Sequence, residues 1–341
     1  MVMSANRALA LVVLGLLAGG FAAHGLAQDD QTELPVLRGP YLGQEPPGLE
    51  PVLFAPGVVS TDTAEWSTAF TPDALELFFG LFAEGSTYIL HMTSVDGRWT
   101  EPAVASFSGQ YPDYDLTMSP NGNRVYFTSL RPAGGAGPRI EIPDIWYVDR
   151  TEQGWGDPVR LREPINTDSW ELYPSESKDG FLYFFSSRPG GFGGFDIYRA
   201  AIEGDELGEP ANLGPAVNTE HGETDSCISP NGDYIVFGSR RDEGFGDGDL
   251  YVSFKRSDGS WTKARNLGAA VNTEHREFCP SVSRDGKYLF FTSNRPKQTA
   301  IPRYPSAVRE TLGVTPDTER ADIDIYWLDA GYLDALRPEA E

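Results

Sequence analysis

Short hydrophobic runs rich in aromatic residues recur along the chain, and each follows a polar turn of one design. The turns are Thr71-Pro72-Asp73-Ala74, Ser119-Pro120-Asn121-Gly122, Ser177-Lys178-Asp179-Gly180, Ser229-Pro230-Asn231-Gly232 and Ser283-Arg284-Asp285-Gly286. They are spaced by 48, 58, 52 and 54 residues, and a Phe stands eight residues after each initial Ser or Thr: Phe79, Phe127, Phe185, Phe237 and Phe291. Asn-Gly and Asp-Gly supply the positive-φ residues that a tight β-hairpin needs. Runs such as Tyr288-Leu289-Phe290-Phe291 have strand composition. A Gly-rich loop then leads to a further strand opening on Asp144, Asp196, Asp249 or Asp324. Four short strands in roughly 50 residues, with no amphipathic helix between them, describe a propeller blade. The pattern predicts an all-β chain, a five-bladed β-propeller of four-stranded antiparallel blades.

The ends refine this picture. The last repeat runs out after Asp324 to Arg337 without a fourth strand, while Val52-Leu53-Phe54-Ala55-Pro56-Gly57-Val58-Val59-Ser60-Thr61 mirrors Ala211 to Thr219. The N-terminal strand is therefore expected to complete the fifth blade and close the ring, removing a free sheet edge. Arg7, the apolar run Ala8 to Leu17 and the small residues up to Ala27 read as a cleaved signal peptide. The expected organisation is a signal peptide at 1–27, an extended Pro-rich arm at 28–50, the propeller at 51–337 and a tail at 338–341. No later run approaches the length of a membrane span, so a periplasmic or secreted location is expected.

Two stretches carry a resemblance. Glu277 to Lys287, Glu-x-x-Pro-Ser-x-Ser-x-Asp-Gly-Lys, and Ser187 to Tyr198, Ser-Arg-Pro-Gly-Gly-Phe-Gly-Gly-Phe-Asp-Ile-Tyr, resemble the WD-like β-propeller repeats of TolB-type periplasmic proteins. The resemblance covers nearly all of 51–337. It implies the fold, and it extends to docking modules and scaffolds with many partners, so it does not name a ligand.

Composition narrows the partners. Lys+Arg 27 against Asp+Glu 50 gives a net charge of -23, a surface that repels phosphate backbones and anionic membranes. Nucleic acid is thereby excluded as a natural partner, and cations or cationic ligands are favoured.

An acid stands six residues before each turn: Glu65, Asp113, Glu171, Glu223 and Glu277. In a propeller this position opens the innermost strand, so the five should ring one mouth of the channel. Arg131, Arg188, Arg240 or Arg241, and Arg295 return to the same mouth and are expected to pair with the acids, locking the blades. The first blade has no such Arg, which singles out Glu65, beside Trp66 and with Asp113 and Asp115 as neighbours, for a sugar or cationic ligand. His221 and His275 occupy equivalent turns and suggest a transition metal. Asp242, Asp247 and Asp249 in a Gly-rich loop suggest Ca²⁺ as an alternative ion. The insertion from Pro296 to Ala321 carries Lys297, Arg303, Arg309 and Arg320 and reads as a lid or docking loop. Cys227 and Cys279 share strand parity on neighbouring blades, which points them the same way around the ring and not at one another.

There is no nucleophile elbow, phosphate loop or Cys-x-x-Cys. The repeat-equivalent acids lack the asymmetry that paired acid/base catalysis requires. The expectation is a non-enzymatic binding module for a protein, peptide or glycan at the channel mouth. A carbohydrate-active enzyme using the mouth carboxylates and a calcium-dependent binding protein are the alternatives.

Overall fold

The computed structural model describes residues 34–204, 206–297, 304, 306–313 and 322–338. The signal segment lies outside these residues, as do much of the long insertion and the end of the tail.

Five antiparallel sheets form a five-bladed β-propeller, as the repeats predict. The innermost strands are Ala64–Phe70, Asp113–Met118, Glu171–Ser177, Glu223–Ile228 and Glu277–Val282. Each packs on the next and the fifth on the first, which closes the ring. Val52–Leu53 supplies the outer strand of the fifth blade, with Val52 opposite Trp327 and Leu53 opposite Tyr326.

The hairpin turns work as their residue types dictate. The Ser119 hydroxyl donates to Asn121 Oδ1 at 2.8 Å and that of Ser283 to Asp285 Oδ1 at 2.6 Å. The fourth turn residue is left-handed, with φ 74° at Gly122 and 76° at Gly286, where any side chain but glycine's is strained. The first blade has Ala74 there instead, at φ 53°. The repeated Phe79, Phe127, Phe185, Phe237 and Phe291 are buried and fill the clefts between blades. Burial of each is worth about 2–3 kcal/mol, so the ring is held mainly by these inter-blade layers.

The described part of the arm is docked on the propeller. The Tyr41 hydroxyl donates to Asp285 Oδ1 at 3.0 Å, Trp99 Nε1 donates to the Gly39 carbonyl at 2.7 Å, and Leu42 is buried. The described part of the insertion, Tyr304 and helix Ser306–Leu312, buries Tyr304, Val308 and Leu312 in the cluster shared by the fifth and first blades. Lys297 reaches across the same seam to the Thr61 carbonyl, at 2.8 Å, and to Asp324, at 3.0 Å. These residues strap the ring closure; Arg303 and Arg320 lie outside the described residues. No helix of the described residues is long and apolar enough to cross a membrane.

Candidate functional site at the axial mouth

Every inner strand opens on its acid, and in four blades an Arg returns to it. Arg131 meets Asp113 at 2.9 Å, Arg188 meets Glu171 at 3.3 Å, Arg241 meets Glu223 at 3.0 Å and Arg295 meets Glu277 at 3.0 Å. The acids are buried and each Arg also donates to a loop carbonyl, such as Phe107, Ile165 or Val217. In the fourth blade the partner is Arg241; its neighbour Arg240 is exposed and faces Asp247 at 3.7 Å.

A second repeated element completes the latch. In Asn-Thr-x-x-x-Glu, Asn218 accepts from the Ile197 amide at 2.8 Å and Asn272 from that of Leu250 at 2.9 Å, anchoring one blade. The following Thr219 and Thr273 then clasp Glu223 and Glu277 of the next blade through amide and hydroxyl, at 2.6–2.8 Å. Two blades are thereby joined through one carboxylate.

The first blade keeps the clasp without the Arg. Glu65 is fully buried and accepts from the Thr61 amide at 3.2 Å, the Thr61 hydroxyl at 2.5 Å and the Thr63 hydroxyl. Burial pushes its pKa up to about 8; Thr61 and Thr63 oppose this, and the charge of Asp324 adds to it. Asp324 is itself raised to about 7 by burial, against the pull of Lys297. Glu65 thus belongs to the closure seam, a protonated acid near neutral pH, out of contact with solvent.

The residues that reach the axis come two positions later. Each inner strand carries a β-bulge with one left-handed residue: Ser67, Asp115, Tyr173, Asp225 and Cys279, all at φ 47–53°. One carboxylate oxygen each of Asp115 and Asp225 and the Cys279 sulfur lie within 4.8 Å of one another. They come from the second, fourth and fifth blades, which meet in this way only at the axis. The Tyr173 hydroxyl crosses from the third blade to the Pro280 carbonyl at 2.9 Å.

Partly buried aromatic residues neighbour this part of the core. Trp66, Tyr114 and Phe278 follow their acids directly and pack against the cluster holding Leu172, Tyr173 and Cys279. Gly80 is what admits the indole: a Cβ there would lie 2.9 Å from Trp66 Nε1. A cavity of about 240 Å³ opens beside the floor, lined by Phe195, His221, Thr224, Asp225, Arg276 and Phe278 among others. Among the described residues the cation that faces these carboxylates is Arg276, 4.0 Å from Asp225 and stacked on Phe278 at 4.5 Å, its side chain 42% exposed. Burial raises the Asp115 pKa well above the usual carboxylate range, the charge of Asp225 adds to this, and Arg276 only partly offsets it. Burial likewise raises Asp225.

The sequence-based metal candidates are not gathered. Asp249 is occupied by N–H donors: the amides of Phe245 at 2.7 Å and Gly246 at 3.1 Å, and Asn266 Nδ2 at 2.6 Å. Asp242 and Asp247 are exposed, and Asp247 faces Arg240. His221 lines the cavity beside Asp225, while His275 faces Glu274 at 3.8 Å. Asp242, Asp247 and Asp249 do not form a ligand group among the described residues, whereas Asp115, Asp225 and Cys279 do. Cys227 and Cys279 are both buried free thiols.

No family model and no curated protein matches this sequence. Among solved structures the chain is similar to TolB from Acinetobacter baumannii, at 16% identity and TM-score 0.46 over 78% of this chain and 54% of that one. It thus spans about half the length of that protein. It is also similar to α-L-arabinofuranosidase from Lactobacillus brevis, at 11% identity and TM-score 0.48, over 80% and 91% of the two chains. Penicillium chrysogenum α-L-arabinanase gives 14% and 0.41, over 82% and 76%. The likeness is one of fold alone.

Proposed function

We propose that the protein is an exported, non-enzymatic binding module whose axial mouth receives a positively charged group on a protein, peptide or glycan. One observation carries this reading: two buried carboxylates, Asp115 and Asp225, meet at the axis beside a cavity lined by Phe278, and among the described residues the cation that faces them is the half-exposed Arg276. Stacked on Phe278, Arg276 is a resident stand-in for the incoming group. Aromatic faces attract such cations by roughly 0.5–2 kcal/mol, more as water is excluded. Trp66 and Asp115 serve as rim and floor, while the pairs of Asp113, Glu171, Glu223 and Glu277 with Arg131, Arg188, Arg241 and Arg295 hold the frame rigid. The net charge of -23 draws cations toward the mouth. Residues 1–27 act as the export signal.

The test is calorimetric titration with arginine- and lysine-terminated peptides and with chitosan oligosaccharides, a cationic glycan. Asp225→Asn should weaken binding at least tenfold, and Arg276→Ala should strengthen it by removing the internal competitor. Equal affinity in all three proteins would refute the reading. Release of reducing sugar from a polysaccharide panel would replace it with the carbohydrate-active alternative.

A further inference from the structure

The floor of the mouth joins a thiol to two carboxylates, a donor set with chemistry of its own. We propose that Asp115, Asp225 and Cys279 form a binding site for one divalent transition-metal ion of the zinc and cadmium class. This goes beyond the cation-receiving mouth: it shares Asp115 and Asp225 with it, so a bound metal and a cationic group compete, but the site stands on its own donor set.

The three donor atoms approach within 4.8 Å of one another from three blades of a closed ring, so their backbones are fixed. Tetrahedral zinc, with Zn–S about 2.3 Å and Zn–O about 2.0–2.2 Å, spaces its ligands by roughly 3.5 Å. The cavity beside Asp225 leaves a fourth position to water.

A second observation points to a cation as the ligand. Asp115 is 7% exposed, yet its carboxylate accepts no hydrogen bond among the described residues. Buried carboxylates ordinarily collect donors or a counter-ion. Asp225 has the Cys279 amide, the Thr224 hydroxyl at 3.4 Å and Arg276 at 4.0 Å, which leaves it short of a full counter-ion. The thiol then selects the ion: sulfur ligands favour zinc-class metals over calcium and magnesium, which take oxygen. On binding, the Cys279 proton passes to solvent and the sulfur coordinates as thiolate. Two carboxylates and a thiolate leave one negative charge on a bound divalent ion, and Arg276 balances it.

The experiment is titration of the chelator-stripped full chain with Cd²⁺ and Co²⁺. Stoichiometric binding of one ion is expected, with a thiolate-to-metal charge-transfer band and the visible bands of tetrahedral cobalt. Cys227→Ser should keep both signatures; Cys279→Ser should abolish the charge-transfer band. Asp115→Asn should weaken affinity at least tenfold while retaining the far-ultraviolet spectrum of the fold. A band that survives Cys279→Ser, or binding of Cd²⁺ no tighter than Ca²⁺, would overturn the proposal. Because Cys279→Ser should leave peptide binding intact, failure here and failure of the mouth reading are distinguishable.

Discussion

Glu65→Gln should stabilise the protein, whereas the same substitution at Glu223 should destabilise it, although both acids occupy one repeat position and one Thr clasp. Glu65 is buried with no Arg beside it and is lifted from the usual 4.5 to about 8. A carboxyl raised on folding keeps its proton in the native state, so its ionisation works against the fold. Its full contribution is present below pH 4.5 and disappears as pH rises toward 8. At about 1.4 kcal/mol per tenfold, the loss at pH 8 is about 5 kcal/mol as an upper figure. Gln keeps the shape and the Thr61 and Thr63 hydrogen bonds without a charge to ionise. Glu65→Gln should therefore flatten the pH profile of stability between 5 and 8 and raise the melting temperature at pH 8 by about 5–10 °C. Glu223→Gln instead strands Arg241, whose guanidinium lies 3.0 Å from Glu223 Oε1, and should cost about 3–5 kcal/mol at neutral pH. Calorimetric melts of both variants from pH 5 to 8 decide the matter. Two shifts of the same sign, or a Glu65→Gln profile parallel to that of the parent, would refute the reasoning.

Two further outcomes follow from the same geometry. Burial opposes ionisation of Glu76, but hydrogen bonds from His91, Arg150 and Trp155 outweigh it and bring its pKa to about 2. That contribution is present above pH 4.5 and is lost as pH falls toward 2. Trp155→Phe should cost about 2 kcal/mol in denaturant unfolding at pH 7 and less at pH 3; an equal cost at both would exclude the hydrogen bond as its cause. Burial pushes the thiols of Cys227 and Cys279 up, so Ellman's reagent should label neither in the native apo protein and both after denaturation. One label before denaturation would contradict the packing of the axis.

The repeating columns of the sequence were enough to give the fold. Turn residues, the Phe eight positions on and the acid six positions before recur in every blade because every blade solves the same packing problem. The Arg latch was legible for the same reason, down to the choice between Arg240 and Arg241, which only the exposure of Arg240 resolves. The axial floor was harder to find because it occupies a column that does not repeat: Ser67, Asp115, Tyr173, Asp225, Cys279. Asp115 drew attention only as a neighbour of Glu65 and Cys279 only for its parity with Cys227, while Asp225 and Arg276 drew none. Their signal was the irregular column itself, two residues after the acid, where packing no longer dictates identity. Local spacing also misled at Asp242 to Asp249, because proximity in sequence does not reveal that backbone amides already occupy Asp249. The absence of an Arg in the first blade pointed at Glu65 correctly as different. Its burial under the Lys297 and Tyr304 strap follows from tertiary closure, which no repeat encodes.

The central claim is that the axial floor binds a cation between Asp115 and Asp225. The most direct measurement is a crystal structure of Arg276→Ala soaked with methylguanidinium. The account predicts the planar ion beneath Trp66, Tyr114 and Phe278, hydrogen-bonded to both carboxylates. A floor without it, while methylguanidinium binds elsewhere on the acidic surface, would contradict the account.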